Sequence, residues 1–303
     1  MNSKSIISVS GLTYSYSNGN TILSDIGMNV EEGNIYGFLG PNGSGKTTTL
    51  SLLLGLLGQQ KGTIRIFDEE LSSNRIGILR NIGSLIESPS LYAHLSAREN
   101  LEVYRQIYRV PSSRIGEVLG VVNLTDTAKK PVREFSLGMK QRLSLGLALL
   151  PWPRLLILDE PTNGLDPVGI IEFRAIVKRL NKEKGMTVLV SSHILSEVEK
   201  MVSHIGIISR GKMVFEGSLA QLHKLHQKQG KLLINTADNT RASQLLTTYN
   251  PVQMDECISV MYNNEQDVST MCRLLVSADI DVYRLQPARN LEQLFIDLTS
   301  QPS

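Results

Sequence analysis

The stretch "GPNGSGKTT", residues 40–48, decides the fold class predicted for this chain. It fits the pattern G-x-x-x-x-G-K-[ST] and lies between the apolar run "IYGFL" and a helical run. Its glycines allow a tight turn whose N–H groups point at phosphate oxygens, at the positive end of a helix dipole. Lys46 adds a charge for the β and γ phosphates, and the Thr47 hydroxyl can bind Mg²⁺. The residues expected to contact a nucleotide here are Gly40, Asn42, Gly43, Ser44, Gly45, Lys46, Thr47 and Thr48.

Two carboxylates follow a second apolar run, "LLILDE", residues 155–160. Asp159 is predicted at the carboxyl end of a buried strand, where it can hold Mg²⁺. Acidic residues often end strands for structural reasons alone, but a phosphate loop upstream favours the metal site. Glu160 is then the natural general base, or the residue that positions water, for attack on the γ-phosphate.

Apolar runs followed by turns and helical patterns recur along the first 220 residues or so. Because these runs lack polar alternation, they predict strands covered on both faces, and hence a mostly parallel α/β sheet. The ligands of such sheets bind beyond the carboxyl ends of the strands. The opening segment "IISVSGLTYSYSNGNTILSDIGMNV" alternates instead, which predicts an antiparallel edge sheet.

The composition changes after "GKMVFEGSLAQLHKLHQKQG", and the glycine-rich turns stop there. This change predicts a first domain over residues 1–222 and a second over residues 223–303, a small α+β module. Its predicted elements are the strand "KLLINT", a helix from Thr240, the strand "CISVMY", the helix "EQDVSTMCRLLVS", the strand "IDVYRL" and a last helix with Leu291, Leu294, Phe295 and Leu298 on one face.

Composition excludes several classes of protein. The formal net charge is +2, with +4 in residues 1–220 and −2 in residues 221–303, so neither part has the basic excess of a nucleic-acid binder. No stretch reaches the roughly 18 consecutive apolar residues of a membrane span. The N-terminus lacks the apolar core of a signal peptide, so we expect a cytoplasmic protein. Cys257 and Cys272 predict buried free thiols and not a zinc site or a disulfide.

Three further motifs stand in a fixed order around "LLILDE": "FSLGMKQRLSLGLALL" before it, and "NGLDP" and "SSHILSEVE" after it. With the phosphate loop, this set resembles the ATP-binding subunit of ATP-binding-cassette (ABC) transporters over about residues 5–220. The resemblance implies a P-loop NTPase cassette: a mostly parallel core sheet, an antiparallel β edge subdomain and a helical subdomain.

The resemblance also implies a site shared by two subunits. The family's signature loop, usually Leu-Ser-Gly-Gly-Gln, is Phe135-Ser136-Leu137-Gly138-Met139 here, so the serine and the second glycine are retained. Ser136 can also cap the helix that follows and present its N-terminus to an anion. By resemblance, Ser136 and Gly138 contact the γ-phosphate of ATP held by the other subunit, and Asp166 lies in the loop that communicates across the dimer.

Two aromatic side chains gain roles from the same resemblance. His193 matches the switch histidine that contacts the γ-phosphate and positions water, although a single histidine at a strand end is ordinarily structural. Tyr16 occupies the position of the aromatic ring that stacks on adenine; the alternative is a surface tyrosine on a strand.

Glu87, within "GSLIESPSLYAHLSARENL", stands where the family has a glutamine that contacts Mg²⁺ and water and signals to the membrane partner. A glutamate keeps an oxygen ligand for the metal but adds charge and loses the amide donor. This segment resembles the bacterial exporters that give immunity or resistance to lantibiotics and bacitracin-like peptides, where glutamate recurs. We therefore expect Glu87 to contact metal and water during catalysis; the alternative is a neutral surface substitution.

The resemblance implies an ATPase subunit that uses ATP and Mg²⁺, dimerises with a second copy and powers a separate permease at the inner face of the cell membrane. We expect no nucleic-acid partner. One alternative is an exporter of another drug, a lipid or a polysaccharide. A non-transport ABC protein that acts on DNA or ribosomes is disfavoured, because the segment between Lys46 and Ser136 is too short for long coiled coils and the chain has one cassette.

Overall fold

The computed structural model describes residues 4–17, 19–86, 91–227, 230–287 and 291–300. The chain divides into two compact units, Met1–Gly217 and Ser218–Ser303. The composition placed the boundary after residue 222 instead. The break falls earlier because the helix that starts at Leu219 belongs to the second unit, and Ser218 Oγ caps it by accepting the N–H of Gln221 at 3.2 Å.

A six-stranded sheet forms the centre of the first unit, in the order β10-β9-β3-β8-β7-β6. The strands β9, β3, β8, β7 and β6 pair in parallel. Every residue of β3, β7 and β8 is buried, which confirms the mostly parallel sheet covered on both faces. The strands of this sheet are β3 (Ile35–Leu39), β6 (Ile82–Leu85), β7 (Leu155–Leu158), β8 (Thr187–Ser192), β9 (His204–Ser209) and β10 (Lys212–Ser218).

The opening segment forms a separate antiparallel sheet, as predicted, in the order β2-β1-β4-β5. One face of β1 is buried at Ile7, Val9 and Leu12, and these side chains join a core cluster that includes Phe38 of β3. The strands are β1 (Ser5–Ser15), β2 (Thr21–Glu31), β4 (Lys61–Ile66) and β5 (Glu69–Glu70).

Seven α-helices are described in the first unit, together with a 3₁₀ turn at Val132–Glu134. Helices α3, α4 and α5 contact one another and form the expected helical subdomain. Throughout the described ranges, each helix is too short or too polar to cross a bilayer. The helices are α1 (Lys46–Leu53), α2 (Arg75–Leu79), α3 (Ala97–Tyr108), α4 (Ser113–Val121), α5 (Leu137–Leu149), α6 (Pro167–Lys184) and α7 (Leu195–Val198).

The second unit is a small α+β module with a four-stranded antiparallel sheet in the order β12-β13-β11-β14. The strands and helices α9 and α10 follow a β-α-β-β-α-β order, a split βαβ arrangement. Its core includes Ile234, Val260 and Leu275, and both cysteines are free but only half-buried. The elements are α8 (Leu219–Gln227), β11 (Gly230–Thr236), α9 (Asn239–Leu245), the 3₁₀ turn Thr247–Tyr249, β12 (Val252–Gln253), β13 (Ile258–Tyr262), α10 (Glu265–Ser277), β14 (Val282–Pro287) and α11 (Leu291–Ser300).

Candidate active site

The phosphate loop connects the buried strand β3 to helix α1, which begins at Lys46. Gly45 has a φ of 109°, a left-handed conformation that favours glycine, and a Cβ there would lie 2.5 Å from Leu23 Cδ2. The tight loop therefore requires glycine at this position. The first N–H groups of a helix have no intrahelical acceptor, so those at the start of α1 are free to bind an anion.

Two polar groups of this loop suit a bound polyanion. Lys46 is only 5% exposed, and its Nζ donates to Gly40 O at 2.8 Å. Ser44 is also buried, and its Oγ has no hydrogen-bond partner among the described residues. A buried hydroxyl without a partner is costly unless a ligand completes its bonding, and the buried ammonium places a positive charge on the same loop. The loop therefore fits a nucleotide phosphate.

The carboxylate of Asp159, just beyond β7, faces the phosphate loop. Thr47 Oγ1 donates to Asp159 Oδ2 at 2.8 Å, and Ser191 Oγ donates to Asp159 Oδ1. The same Ser191 Oγ accepts the N–H of Glu160 at 2.8 Å, so one hydroxyl orients both acidic residues. Within the described ranges, no three His, Cys, Asp or Glu side chains form a metal cluster. A hydroxyl and one carboxylate nevertheless suit Mg²⁺, which proteins usually hold by one or two carboxylates plus substrate phosphates.

Glu160 connects the phosphate loop to β8. Its Oε1 lies 3.1 Å from Lys46 Nζ, and its Oε2 lies 2.6 Å from Nδ1 of His193, which follows β8. Because a carboxylate only accepts hydrogen bonds, Nδ1 is the donor of the second contact. Glu160 has a φ of 43°, so the backbone holds this residue in a left-handed conformation that side chains rarely adopt. The three side chains form what we call the carboxylate clasp: Lys46, Glu160 and His193.

A cavity of about 400 Å³ opens beside the clasp. Sequence reasoning missed some of its residues, Gln141 and Asn163 among them, and it also missed Ser191. Each lies within a quoted motif, Gln141 in "FSLGMKQRLSLGLALL", Asn163 in "NGLDP" and Ser191 in "SSHILSEVE", but its own side chain had been given no role. Only the folded chain brings these side chains to the site. The cavity is lined by Asn42, Thr47, Leu137, Gln141, Asp159, Glu160 and Asn163.

The signature loop lies on an exposed surface with a second hollow, of about 300 Å³, lined in part by Ser136, Gly138 and Asp166. Ser136 Oγ accepts the N–H of Met139 at 3.2 Å and so caps α5, as the sequence predicts. Asp166 Oδ1 accepts the N–H of Gly169 at 2.8 Å and caps α6. Both side chains are exposed, and the helix N-termini that they cap open on the same hollow.

Tyr16 lies beside the start of α1, with its hydroxyl 3.5 Å from Thr48 Oγ1. Its ring packs edge-on against Tyr14, with 5.2 Å between the centroids, and remains 43% exposed. A face is therefore open beside the phosphate loop, where a base could stack. Glu87 lies outside the described residues; the strand β6 ends at Leu85, two residues before it.

Comparison with known proteins agrees with this geometry. The family model "ABC transporter" matches residues 23–163. The bacitracin transport ATP-binding protein BcrA of Bacillus licheniformis is 43% identical over 300 residues, which cover 97% of each chain. The chain belongs to the ABC transporter family. A second relative of this ABC subunit, the lantibiotic transport ATP-binding protein SrtF of Streptococcus pyogenes, is 48% identical over 196 residues, 65% of this chain and 84% of SrtF.

Solved structures of ABC cassettes share the fold. The ABC subunit matches cbiO1 from Clostridium perfringens, part of the cbiONQ transporter complex, with a TM-score of 0.67 and 28% identity over 73% of this chain and 91% of cbiO1. It matches a dimeric post-hydrolysis structure of the cassette MJ0796, bound to ADP and Pi, with a TM-score of 0.63 and 27% identity over 70% and 98% of the two chains. The ABC subunit is thus an ATPase that binds and hydrolyses ATP, and subunits of this kind dimerise and pair with membrane permease components.

Proposed function

We propose that this ABC subunit binds ATP and Mg²⁺ between two copies of itself and powers a separate permease that exports antimicrobial peptides. The observation that carries the catalytic part is the carboxylate clasp. Glu160 lies 3.1 Å from the ammonium of Lys46 and 2.6 Å from the imidazole of His193. A carboxylate between a phosphate-binding cation and a histidine is suited to activate water next to a terminal phosphate.

The phosphate loop binds the triphosphate through the N–H groups of its tight turn and through Lys46. The exposed face of Tyr16 stacks on the adenine. The contact between its hydroxyl and Thr48 places the ring beside the phosphate loop, within reach of the base. Binding requires Lys46 to exchange Glu160 for phosphate oxygens. The residues proposed to bind the nucleotide within this chain are Tyr16, Gly40, Asn42, Gly43, Ser44, Gly45, Lys46, Thr47 and Thr48.

Thr47 and Asp159 would hold Mg²⁺, because their oxygens already meet at 2.8 Å. When bound there, the ion would supply positive charge that stabilises the phosphate oxygens during hydrolysis. Glu160 accepts the proton of the attacking water or orients that water, and His193 fixes the carboxylate and reaches the γ-phosphate. Ser191 keeps Asp159 and Glu160 oriented.

The signature surface completes the site of a second copy. Ser136 and Gly138 open the N-terminus of α5, which has the positive end of a helix dipole available for an anion. In this homodimer, α5 of one copy faces the γ-phosphate bound by the other, and Asp166 contacts the loop opposite. Two ATP molecules are then enclosed at two equivalent composite sites.

Glu87 is proposed to contact Mg²⁺ and water at the end of β6 and to transmit the nucleotide state to the permease. The helix α3 follows it and begins with a capping box between Ser96 and Glu99, which gives the segment after Glu87 a firm anchor. The subunit is proposed to work in the cytoplasm, peripheral to the membrane through its permease. Residues 223–303 are proposed to be an accessory domain.

The peptide substrate is inferred from the relatives. BcrA, which is named for bacitracin transport, matches over 97% of both chains, so the similarity includes the second unit. SrtF is named for lantibiotic transport. A nucleotide site is common to all ABC subunits, so similarity over the whole chain is the stronger support for a shared substrate class.

The test uses a sensitive bacterium that expresses the subunit together with a candidate permease. We expect raised resistance to bacitracin or to a lantibiotic, and no resistance when Glu160→Gln replaces the wild type. Resistance to an unrelated small-molecule drug alone would show that the substrate class is wrong. A purified chain without Mg²⁺-dependent ATPase activity would contradict the catalytic part.

A further inference from the structure

The C-terminal end of α5 is a corner of the fold where backbone carbonyls lack their usual donors. The N–H that would serve the carbonyl of Leu149 belongs to position 153, which is a proline and has none. The N–H that would serve Leu150 belongs to Arg154 and donates instead to Asn81 O at 2.9 Å. Both leucines are fully buried. Water therefore does not reach these two carbonyls, which need donors from the protein.

Arg114 of α4 supplies those donors. Its Nε donates to Leu150 O at 3.0 Å, and its Nη2 donates to Leu149 O at 2.7 Å, an oxygen that also accepts the N–H of Trp152 at 3.1 Å. Its Nη1 donates to Glu117 Oε2 at 2.8 Å. The guanidinium also lies over the ring of Trp152, with Cζ 3.0 Å from the centroid. The flat fork of an arginine matches two neighbouring carbonyls in a way that a lysine ammonium cannot.

The charge of Arg114 suits its position. Only 4% of the residue is exposed, and burial lowers the pKa of its guanidinium while the bond with Glu117 opposes that shift. Arginine nevertheless stays protonated in proteins, so a buried positive charge stands at the negative end of the α5 dipole. This arrangement fixes the end of α5 to α4.

The two ends of α5 belong to different parts of the proposed site. Ser136 caps its N-terminus, and the corner held by Arg114 leads within a few residues into β7, which ends at Leu158, directly before Asp159. The corner is closely packed, since a Cβ on Gly83 of β6 would lie 2.4 Å from Ala148 O. A rigid helix of this length carries a shift at one end to the other, about 20 Å away.

We propose that Arg114 is a positioning residue for ATP hydrolysis. By fixing the end of α5 to α4 and to the corner before β7, it sets where Ser136 stands relative to Asp159 and Glu160. It acts through α5 and contacts neither the nucleotide nor the metal. This inference rests on the proposed function, in which Ser136 completes the site of a second copy.

The test compares Arg114→Lys and Arg114→Met in the full chain with a matched control, Arg105→Met. Arg105 lies on α3 and also binds a glutamate, Glu102, and a backbone carbonyl, Val110 O, at 2.7 and 2.9 Å. We expect kcat to fall about 10- to 100-fold in Arg114→Met, because small displacements of positioning groups cost that much. Arg114→Lys should be intermediate, and Arg105→Met should match the wild type.

Three readouts separate positioning from general loss of stability. The affinity of each chain for ADP should change by less than about twofold, KM for ATP should change less than kcat, and the kcat deficit should persist at a temperature where circular dichroism shows a fully folded chain. If turnover returns to the wild-type rate at that temperature, or if Arg114→Lys hydrolyses ATP as fast as the wild type, the inference is wrong. If Arg114→Met does not fold, the turnover of Arg114→Lys tests the inference by itself.

Ser136→Arg, assayed in parallel, separates the two claims. If Ser136→Arg keeps hydrolysis, the shared site of the proposed function fails, whatever Arg114 does. If Ser136→Arg abolishes hydrolysis while the Arg114 variants turn over like the wild type, only the inference about Arg114 fails.

Discussion

The carboxylate clasp and the signature surface use polar side chains in opposite ways. In the clasp, Glu160 pairs with Lys46 and His193 of the same chain, and all three are at least partly buried. On the signature surface, Ser136 and Asp166 are exposed, and each caps the helix that follows it. One region is already a connected charge network, whereas the other presents two helix N-termini outward.

This difference shows how one chain can contribute to two different sites. The clasp holds the chemical groups but leaves one side of its cavity to be closed. The signature surface offers anion-binding N–H groups. The two carboxylates that line its hollow have other partners, since Asp166 caps α6 and Glu172 pairs with Arg142. The predictions below test whether the two regions have separate roles, beginning with the largest expected effect.

Glu160→Gln should abolish turnover while the nucleotide still binds. Loss of a general base costs about 10²- to 10⁴-fold in rate. ATP affinity should be retained or rise, because the neutral amide no longer pairs with Lys46. The comparison is single-turnover hydrolysis and ATP binding against Glu216→Gln, which changes a carboxylate that accepts the Tyr36 hydroxyl at 3.1 Å. Wild-type turnover in Glu160→Gln would place the base elsewhere, with Glu87 the first candidate.

Ser136→Arg should leave the clasp intact and block the partner site. Removing one anion-binding donor at a developing charge costs about 10²- to 10³-fold in kcat, and the bulky arginine should add to that loss. ATP binding should stay, but ATP-driven dimerisation should not, as judged by light scattering. Ser112→Arg is the control, since Ser112 is an exposed serine before α4 whose side chain makes no capping bond. Equal loss of binding and dimerisation would contradict separate roles.

Glu87 should matter for coupling more than for binding. Glu87→Gln keeps one oxygen ligand and adds a donor, so ATP binding and much of the hydrolysis should remain. Glu87→Ala removes the ligand and should reduce peptide resistance by about 5- to 150-fold, the usual range for coupling between sites. ATPase rate and resistance are measured for both variants in cells that carry the permease. If Glu87→Ala protects cells as the wild type does, Glu87 is a neutral substitution.

The smallest effect is expected at Asp166, through stability. Asp166→Ala removes the cap of α6 and should lower the free energy of unfolding by about 1 kcal/mol. Asp166→Asn keeps a good capping side chain and should lie within a few tenths of the wild type, so the pair isolates the cap from the charge. Urea unfolding measures both. An asparagine variant as unstable as the alanine variant would mean that the charge, and not the cap, holds this loop.

Much of the fold was predictable because helix caps and the spacing of apolar residues indicate the same elements. Helix α10 spans Glu265–Ser277, the full stretch predicted, since Asn264 caps its N-terminus and apolar residues follow at helical spacing. The strand β12 was missed because its two residues, Val252 and Gln253, are too few for a periodic pattern. The unit boundary lies earlier than composition predicts, because the helix that Ser218 caps belongs to the second unit.

The motifs of the site were visible in the sequence, but their connections were not. The phosphate loop and the acidic pair follow buried strands, so their place at one sheet edge could be expected. The contact between Glu160 and His193 joins residues 33 positions apart, and Ser191 resembles any serine at a strand end. Arg114 was unremarked for the same reason, because its carbonyl partners lie 35 and 36 residues later. Only tertiary packing defines such contacts.

The central claim is that Ser136 of one copy and Lys46 of another form one site. The direct measurement is the mass of the ATP-bound species when two inactive chains, Lys46→Met and Ser136→Arg, are mixed in the Glu160→Gln background. The mixed dimer then has one composite site with both wild-type residues, so we expect ATP-dependent dimers in the mixture and monomers in each chain alone. Ser136→Arg chains that dimerise with ATP on their own, together with a mixture that gains no dimer, would contradict the shared site.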